Sequence, residues 1–221
     1  PMSAYTLTIE HVLKHPVRDI HPIAWSLFYH MRYAAHPVPD AVLYAMMIRA
    51  CAAGVPQPNT MPLRRKRTME ADAERALDLF REMTVHHGVR PNKEVYDSLI
   101  LTCARRKDHY ADALRLLHEL VEGDDTRLWP DAYTYNAVLQ GSARHGDLTT
   151  ARWILADMVR SVMADAHRLR RPNEDTLAHV FWTYAVYQPP IDRHQLSSIE
   201  ATQSSDAEGH VAEAAPSPTF T

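Results

Sequence analysis

Apolar residues recur along most of this chain at helical spacing, in paired segments separated by proline and polar punctuation. In the clearest pair, Tyr135, Val138 and Leu139 form one stripe, and Leu148, Ala151, Ile154, Leu155 and Met158 a second. This spacing predicts two helices, one over about 131–145 and one opening after Asp147. Asp131 is the expected cap of the first, because its carboxylate can accept a backbone N–H left free in the first turn. Gly146 can take the left-handed conformation that ends a helix, and Asp147 then caps the next. Arg171-Pro172 marks the following boundary, since the residue before proline avoids the helical region.

The same pairing is expected upstream. A helix over 92–106 carries Tyr96, Leu99, Ile100 and Cys103, and one over 109–122 carries Ala113, Leu116, Leu117 and Leu120. A helix over 40–53 carries Tyr44, Met47, Ile48 and Cys51, and its partner over 69–87 carries Ala76, Leu79, Phe80 and Met83. Residues 22–35 hold Ala24, Leu27, Phe28 and Met31 at the same spacing, with 5–14 as the preceding helix. A last helix over 173–187 stops before Pro189-Pro190. The motif of proline, polar residue and amphipathic helix recurs at Pro39-Asp40, Pro91-Asn92, Pro130-Asp131 and Pro172-Asn173. One helical hairpin repeated in this way predicts an all-α stack with an extended binding surface.

Loops vary between the units. The longest insertion, 54–68, contains Pro56, Pro58, Pro62 and Arg64-Arg65-Lys66-Arg67 and reads as an exposed loop. From Gln188 the composition turns to Ser, Ala, Glu, Pro and Thr. The expected organisation is a solenoid over 1–187 with about four to five repeats, the first and last partial, and an acidic low-complexity tail over 188–221, partly disordered or held by a partner. The opening Pro1-Met2, with no recognisable leader after it, reads as a fragment or a processed product.

Charge refines the picture. The chain has a net charge of −3, but the tail holds Asp192, Glu200, Asp206, Glu208 and Glu213 against Arg193 alone, leaving the remainder slightly basic. The basic clusters are Arg64, Arg65, Lys66 and Arg67; Arg105, Arg106 and Lys107; and Arg168, Arg170 and Arg171. Each is open to two readings, a solvated helix end that complements the helix dipole or a contact for phosphate. Two cysteines do not make a secreted disulfide framework and point to a reducing compartment. No apolar run reaches membrane-spanning length.

The sequence Pro-Asp-x-x-Thr-Tyr-Asn-x-x-Leu at 130–139, then Gly146-Asp147-Leu148, Ala151 and Met158, resembles the pentatricopeptide repeat. The likeness is close over 131–158, good over 92–120 and 40–83, and partial over 3–35 and 173–187. It implies a right-handed superhelical α-solenoid whose first helices line a concave groove for single-stranded RNA, in mitochondria or chloroplasts. It implies base-reading pairs Ala45 with Asn92, Asp97 with Asp131, and Asn136 with Asn173, the last a pyrimidine reader. It also implies sandwiching side chains at Val42, Glu94 and Tyr133. Ala45 has no polar group, and Asp97 with Asp131 is doubly anionic, so these two pairs depart from the family pattern.

Tyr44, Tyr96 and Tyr135 share one position and read as core residues rather than base platforms. Cys51, Cys103 and Ser142 share another and read as a small-residue packing site. The fourteen histidines offer no zinc signature: His11 and His15 are four apart without a supporting carboxylate–histidine or CxxC motif. His86-His87 reads as a polar helix end. No nucleophile elbow, phosphate loop, dinucleotide fingerprint or deaminase signature is present. The expectation is therefore a non-catalytic RNA binder of the mitochondrial matrix, without cofactor or metal. It would act in RNA processing, stability or translation, or as a component of the mitochondrial ribosome alongside ribosomal proteins. The alternative is a protein–protein scaffold in a large mitochondrial assembly.

Overall fold

A computed structural model of the chain describes residues 1–14, 21–53, 55–56, 69–163 and 171–189. Residues Pro1–Tyr187 form one unit and Gln188–Thr221 another. Within the first unit, helices run in the order α1 (Met2–Lys14), α2 (His21–Ala34), α3 (Ala41–Ala52), α4 (Ala73–Arg81), α5 (Lys93–Ala104), α6 (Tyr110–Glu122), α7 (Ala132–His145), α8 (Leu148–Met163) and α9 (Glu174–Val186). A π-helical turn, Glu82–His86, continues α4.

The punctuation does what its chemistry predicts. Asp40, Asn92, Asp131 and Asn173 each occupy an N-cap, accepting from the backbone N–H three residues on. At Asp131 and Asn173 the third residue, Thr134 or Thr176, returns a bond to the cap backbone, completing a capping box. Gly146 closes α7 at φ 67°, the left-handed conformation, and Asp147 Oδ1 accepts from Thr150 N at 3.1 Å to open α8.

Each odd-numbered helix from α1 to α7 packs against the even-numbered helix that follows it, and α3, α5, α7 and α9 pack side by side in that order. This arrangement is an α-solenoid of helix-turn-helix repeats, with one continuous hydrophobic core running through it. Tyr44, Tyr96 and Tyr135 lie in that core. Their hydroxyls are not wasted there: Tyr44 donates to Glu82 at 2.7 Å and Tyr135 to Asp157 at 2.6 Å, in each case on the paired second helix. Cys51, Cys103 and Ser142 are buried as well, and both cysteines are free.

Two sequence expectations need correction. The helix expected over 69–87 begins only at Ala73, because Asp72 caps it through Arg75 N at 3.1 Å. The preceding residues Met69–Glu70 instead pair antiparallel with Val55–Pro56 at the neck of the inserted loop. That helix also does not run as an α-helix to residue 87, since its last turn is the π-turn. The loop residues 57–68, Arg64 to Arg67 among them, lie outside the described residues, as do Arg168, Arg170 and the tail from 190 onward.

Candidate nucleic-acid interface

The row of first helices is stitched together by side chains at fixed registers from each cap. At the α7–α9 junction, Asn136 Nδ2 donates to Asn173 Oδ1 at 3.0 Å and Thr176 Oγ1 donates to Asn136 Oδ1 at 2.7 Å. Asn173 Oδ1 also accepts from Thr176 N at 2.9 Å as the helix cap. These bonds fix which way both amides point. The pair that the sequence brought together by resemblance is thus adjacent in space. Among the described residues, Asn173 Nδ2 and the second N–H of Asn136 are left without a bond, on residues that are exposed and half-buried.

The α5–α7 junction repeats this geometry with carboxylates. Thr134 Oγ1 donates to Asp97 Oδ1 at 2.6 Å, and Thr134 N donates to Asp131 Oδ1 at 3.0 Å. Two carboxylates cannot bond one another as the two amides do. Lys93 Nζ instead bridges them, 2.6 Å from Asp97 Oδ2 and 3.1 Å from Asp131 Oδ2. The environments of the two acids differ. Burial pushes the Asp97 carboxyl up, against the pull of Lys93 and Thr134. Burial also works to raise Asp131, but the Thr134 backbone N–H and the Lys93 ammonium outweigh it and hold Asp131 below the usual carboxylate range.

At the α3–α5 junction the pair is Ala45 with Asn92. Ala45 is only 4% exposed and has no polar side-chain atom, while Asn92 Oδ1 is taken up by Val95 N at 3.0 Å. Val42, expected beside it, is exposed, as are Glu94 and Tyr133.

Tyr133 is not a free platform. Arg49 reaches from the end of α3 to the start of α7, with its guanidinium carbon 5.7 Å from the Tyr133 ring centre and Nη2 donating to the hydroxyl at 3.2 Å. Arg105, the C-cap residue just after α5, donates to the Ala52 carbonyl at the end of α3 (2.7 Å) and to Gln140 on α7 (3.2 Å). Its guanidinium pKa is drawn down by burial first, then by the proximity of Arg144 and Arg49. Arg105 therefore feels the charges of both Arg144 and Arg49, and Arg49 lies over the Tyr133 ring; the bonded partners named for Arg49 and Arg105 lie on first helices. Of the remaining basic residues, Arg106 turns to Asp108 and the Ala71 carbonyl, and Lys107 and Arg171 are exposed.

Sequence reasoning missed Arg49, Gln140, Arg144 and Lys93. The signal was register. Arg49 and Gln140 stand nine residues after their caps, Arg105 and Arg144 thirteen, and Lys93 four before Asp97. The exposed Trp182 of α9 stands at the same register as Arg49 and Gln140.

Among the described residues no group of His, Cys, Asp and Glu is arranged to hold a metal ion, and no helix is long and apolar enough to cross a membrane.

Comparison with known proteins places this geometry. The PPR repeat profile matches residues 133–161, the α7–α8 hairpin. The chain is 25% identical over 185 residues to the mitochondrial 15S rRNA processing factor CCM1 of Candida tropicalis, covering 83% of this chain and 21% of that protein. It is 31% identical over 140 residues to the protein of the same name from Yarrowia lipolytica, covering 63% of this chain and 16% of that one. The chain thus spans about a fifth of the length of these relatives. The crystal structure of the pentatricopeptide repeat protein PPR10 from maize superposes with a TM-score of 0.56 at 16% identity, over 94% of this chain and 24% of that one. The likeness to PPR10 establishes the right-handed solenoid fold. Taken together, the repeat profile over 133–161 and the superposition show a pentatricopeptide-type repeat at the α7–α8 hairpin, set in a solenoid of the same fold as PPR10.

Proposed function

We propose that this chain is the RNA-binding part of a mitochondrial RNA-processing protein, and that it acts on RNA without catalysing chemistry. One observation carries the reading: a single row of first helices and their C-caps holds both the Asn136–Asn173 amide junction and the guanidinium groups of Arg49, Arg105 and Arg144. Guanidinium groups supply affinity for any phosphate chain, and the unbonded amide N–H groups supply a base-edge preference. Two relatives named as mitochondrial 15S rRNA processing factors support ribosomal RNA as the ligand and the mitochondrion as the place.

The test is binding of a single-stranded RNA of about twenty nucleotides to the purified chain at several salt concentrations. With three cations engaged, the affinity falls with salt at a log–log slope of about −2. Arg49→Ala and Arg144→Ala each flatten it by about 0.7. An affinity independent of salt overturns the reading.

A second reading, a protein-binding scaffold, draws on the apolar residues Leu177, Phe181 and Tyr184 that α9 exposes. It would be favoured if RNA recovery after crosslinking in cells were the same for the parent chain and for the Asn136→Ala, Asn173→Ala double variant.

A further inference from the structure

We infer that the exposed face of the α8–α9 hairpin docks a second copy of this chain, with the two α9 helices antiparallel across a two-fold axis. The inference goes beyond the RNA-binding reading and does not rest on it.

Register defines the face. Leu114 and Leu117 of α6 stand five and eight residues after the cap His109, as Arg152 and Leu155 of α8 do after Asp147. Inside the stack the α6 pair looks toward the next hairpin, sharing a cleft with Thr150 and Trp153 of α8. The α8 stripe Arg152, Leu155, Val159 and Met163 therefore looks onward in the same sense, to the side of α9. Contact with α9 confirms this: Arg152 Nε donates to the Tyr184 hydroxyl at 2.9 Å, with the guanidinium carbon 5.4 Å from the ring centre. Tyr184 ends the α9 stripe of Leu177, Phe181 and Tyr184. Those three and the neighbouring Val159 and Met163 are all exposed. Between hairpins of the stack, the corresponding face is covered by the next repeat.

The order of charges along the face selects the occupant. Glu174 stands three residues before Leu177, so it lies on the same stripe of α9. From its N-terminus the stripe reads acid, leucine, phenylalanine, then tyrosine with the Arg152 guanidinium beside it. Glu174 is exposed, and the bond through Nε leaves both Nη groups of Arg152 for a partner. A copy laid parallel sets Glu174 against Glu174 and Arg152 against Arg152, and like charges repel. A copy laid antiparallel sets Leu177 of each chain opposite Phe181 of the other, and each Glu174 opposite the Tyr184–Arg152 end. Both ends then pair a carboxylate with a guanidinium. Such a contact uses one patch twice and closes at two copies. A face one hairpin wide lies at the small end of specific interfaces, so the dissociation constant is on the order of 10 µM. The dilute chain then keeps α9 bare.

The experiment is sedimentation equilibrium of the purified full chain at concentrations on either side of about 10 µM, with circular dichroism to confirm that each variant folds. The parent's average mass rises from one chain to two and goes no further. Phe181→Glu, at an exposed position where substitution spares the fold, stays monomeric throughout. Glu174→Arg and Arg152→Glu each weaken association roughly tenfold. Combined, they restore it, because the exchanged charges meet again across the axis. A chain monomeric at every concentration, whether its face stays bare or another occupant takes it, overturns the proposal. So does a mass growing beyond two chains, which marks a head-to-tail contact with the exposed Leu7, Ile23 and Tyr33 of the first hairpin. Association unchanged in Phe181→Glu, or a double variant no tighter than the single ones, overturns it too.

Discussion

Helices α7 and α9 open alike and are buried unlike. Both start from a capping box with a threonine at the third position, so their first turns are equally well held. Their apolar registers also coincide. Tyr135, Leu139 and Ser142 stand four, eight and eleven residues after Asp131, as Leu177, Phe181 and Tyr184 do after Asn173. Yet Leu139 is 0% and Phe181 70% exposed, and the other two positions divide the same way. The difference is company. α7 packs against α5, α6, α8 and α9, whereas α9 packs against α7 and α8. In a repeat protein the hairpin alone does not bury its own apolar stripe; its neighbours do so.

That contrast can be pressed in order of effect. Leu139→Ala should lower unfolding free energy by about 3 kcal/mol, the loss of a fully enclosed leucine, whereas Phe181→Ala should change it by less than about 1 kcal/mol. Urea denaturation of the two variants measures both, and equal losses would mean that α9 is covered in solution. Gly141→Ala should cost about 1–3 kcal/mol, because a Cβ there would lie 2.8 Å from the Tyr110 ring and 2.9 Å from the Ala104 carbonyl oxygen. Its thermal midpoint should fall accordingly. A loss of about 1 kcal/mol is expected for Gly146→Ala. That backbone sits at φ 67°, and its nearest neighbour beyond, the Val186 carbonyl oxygen, is at an ordinary 3.4 Å.

Much of the fold was legible because its instructions are local. Asp40, Asn92, Asp131 and Asn173 act on an N–H three residues away, and Gly146 on its own backbone. The start of α4 was misplaced for the same kind of reason: Asp72 was the local cap, and the apolar spacing alone extended the helix back to residue 69. The pairing of Asn136 with Asn173 came from resemblance and proved to be a contact. The electrostatics were harder to see. Asp97 with Asp131 read as an uncompensated anionic pair, although Lys93 stands one helical turn from Asp97 and reaches both. Arg49 and Tyr133 are 84 residues apart, with a whole hairpin between them, and no spacing rule in one dimension announces such a meeting.

The Thr176–Asn136–Asn173 chain of bonds is also a fastener between successive coils of the spring. On the reading proposed above, a nucleobase held by the spare N–H groups of Asn136 and Asn173 would pull on the two side chains that fix the distance from one turn to the next. Capturing a letter and adjusting the pitch are then a single event, and a well-matched strand would leave the spring with a different stiffness from an ill-matched one.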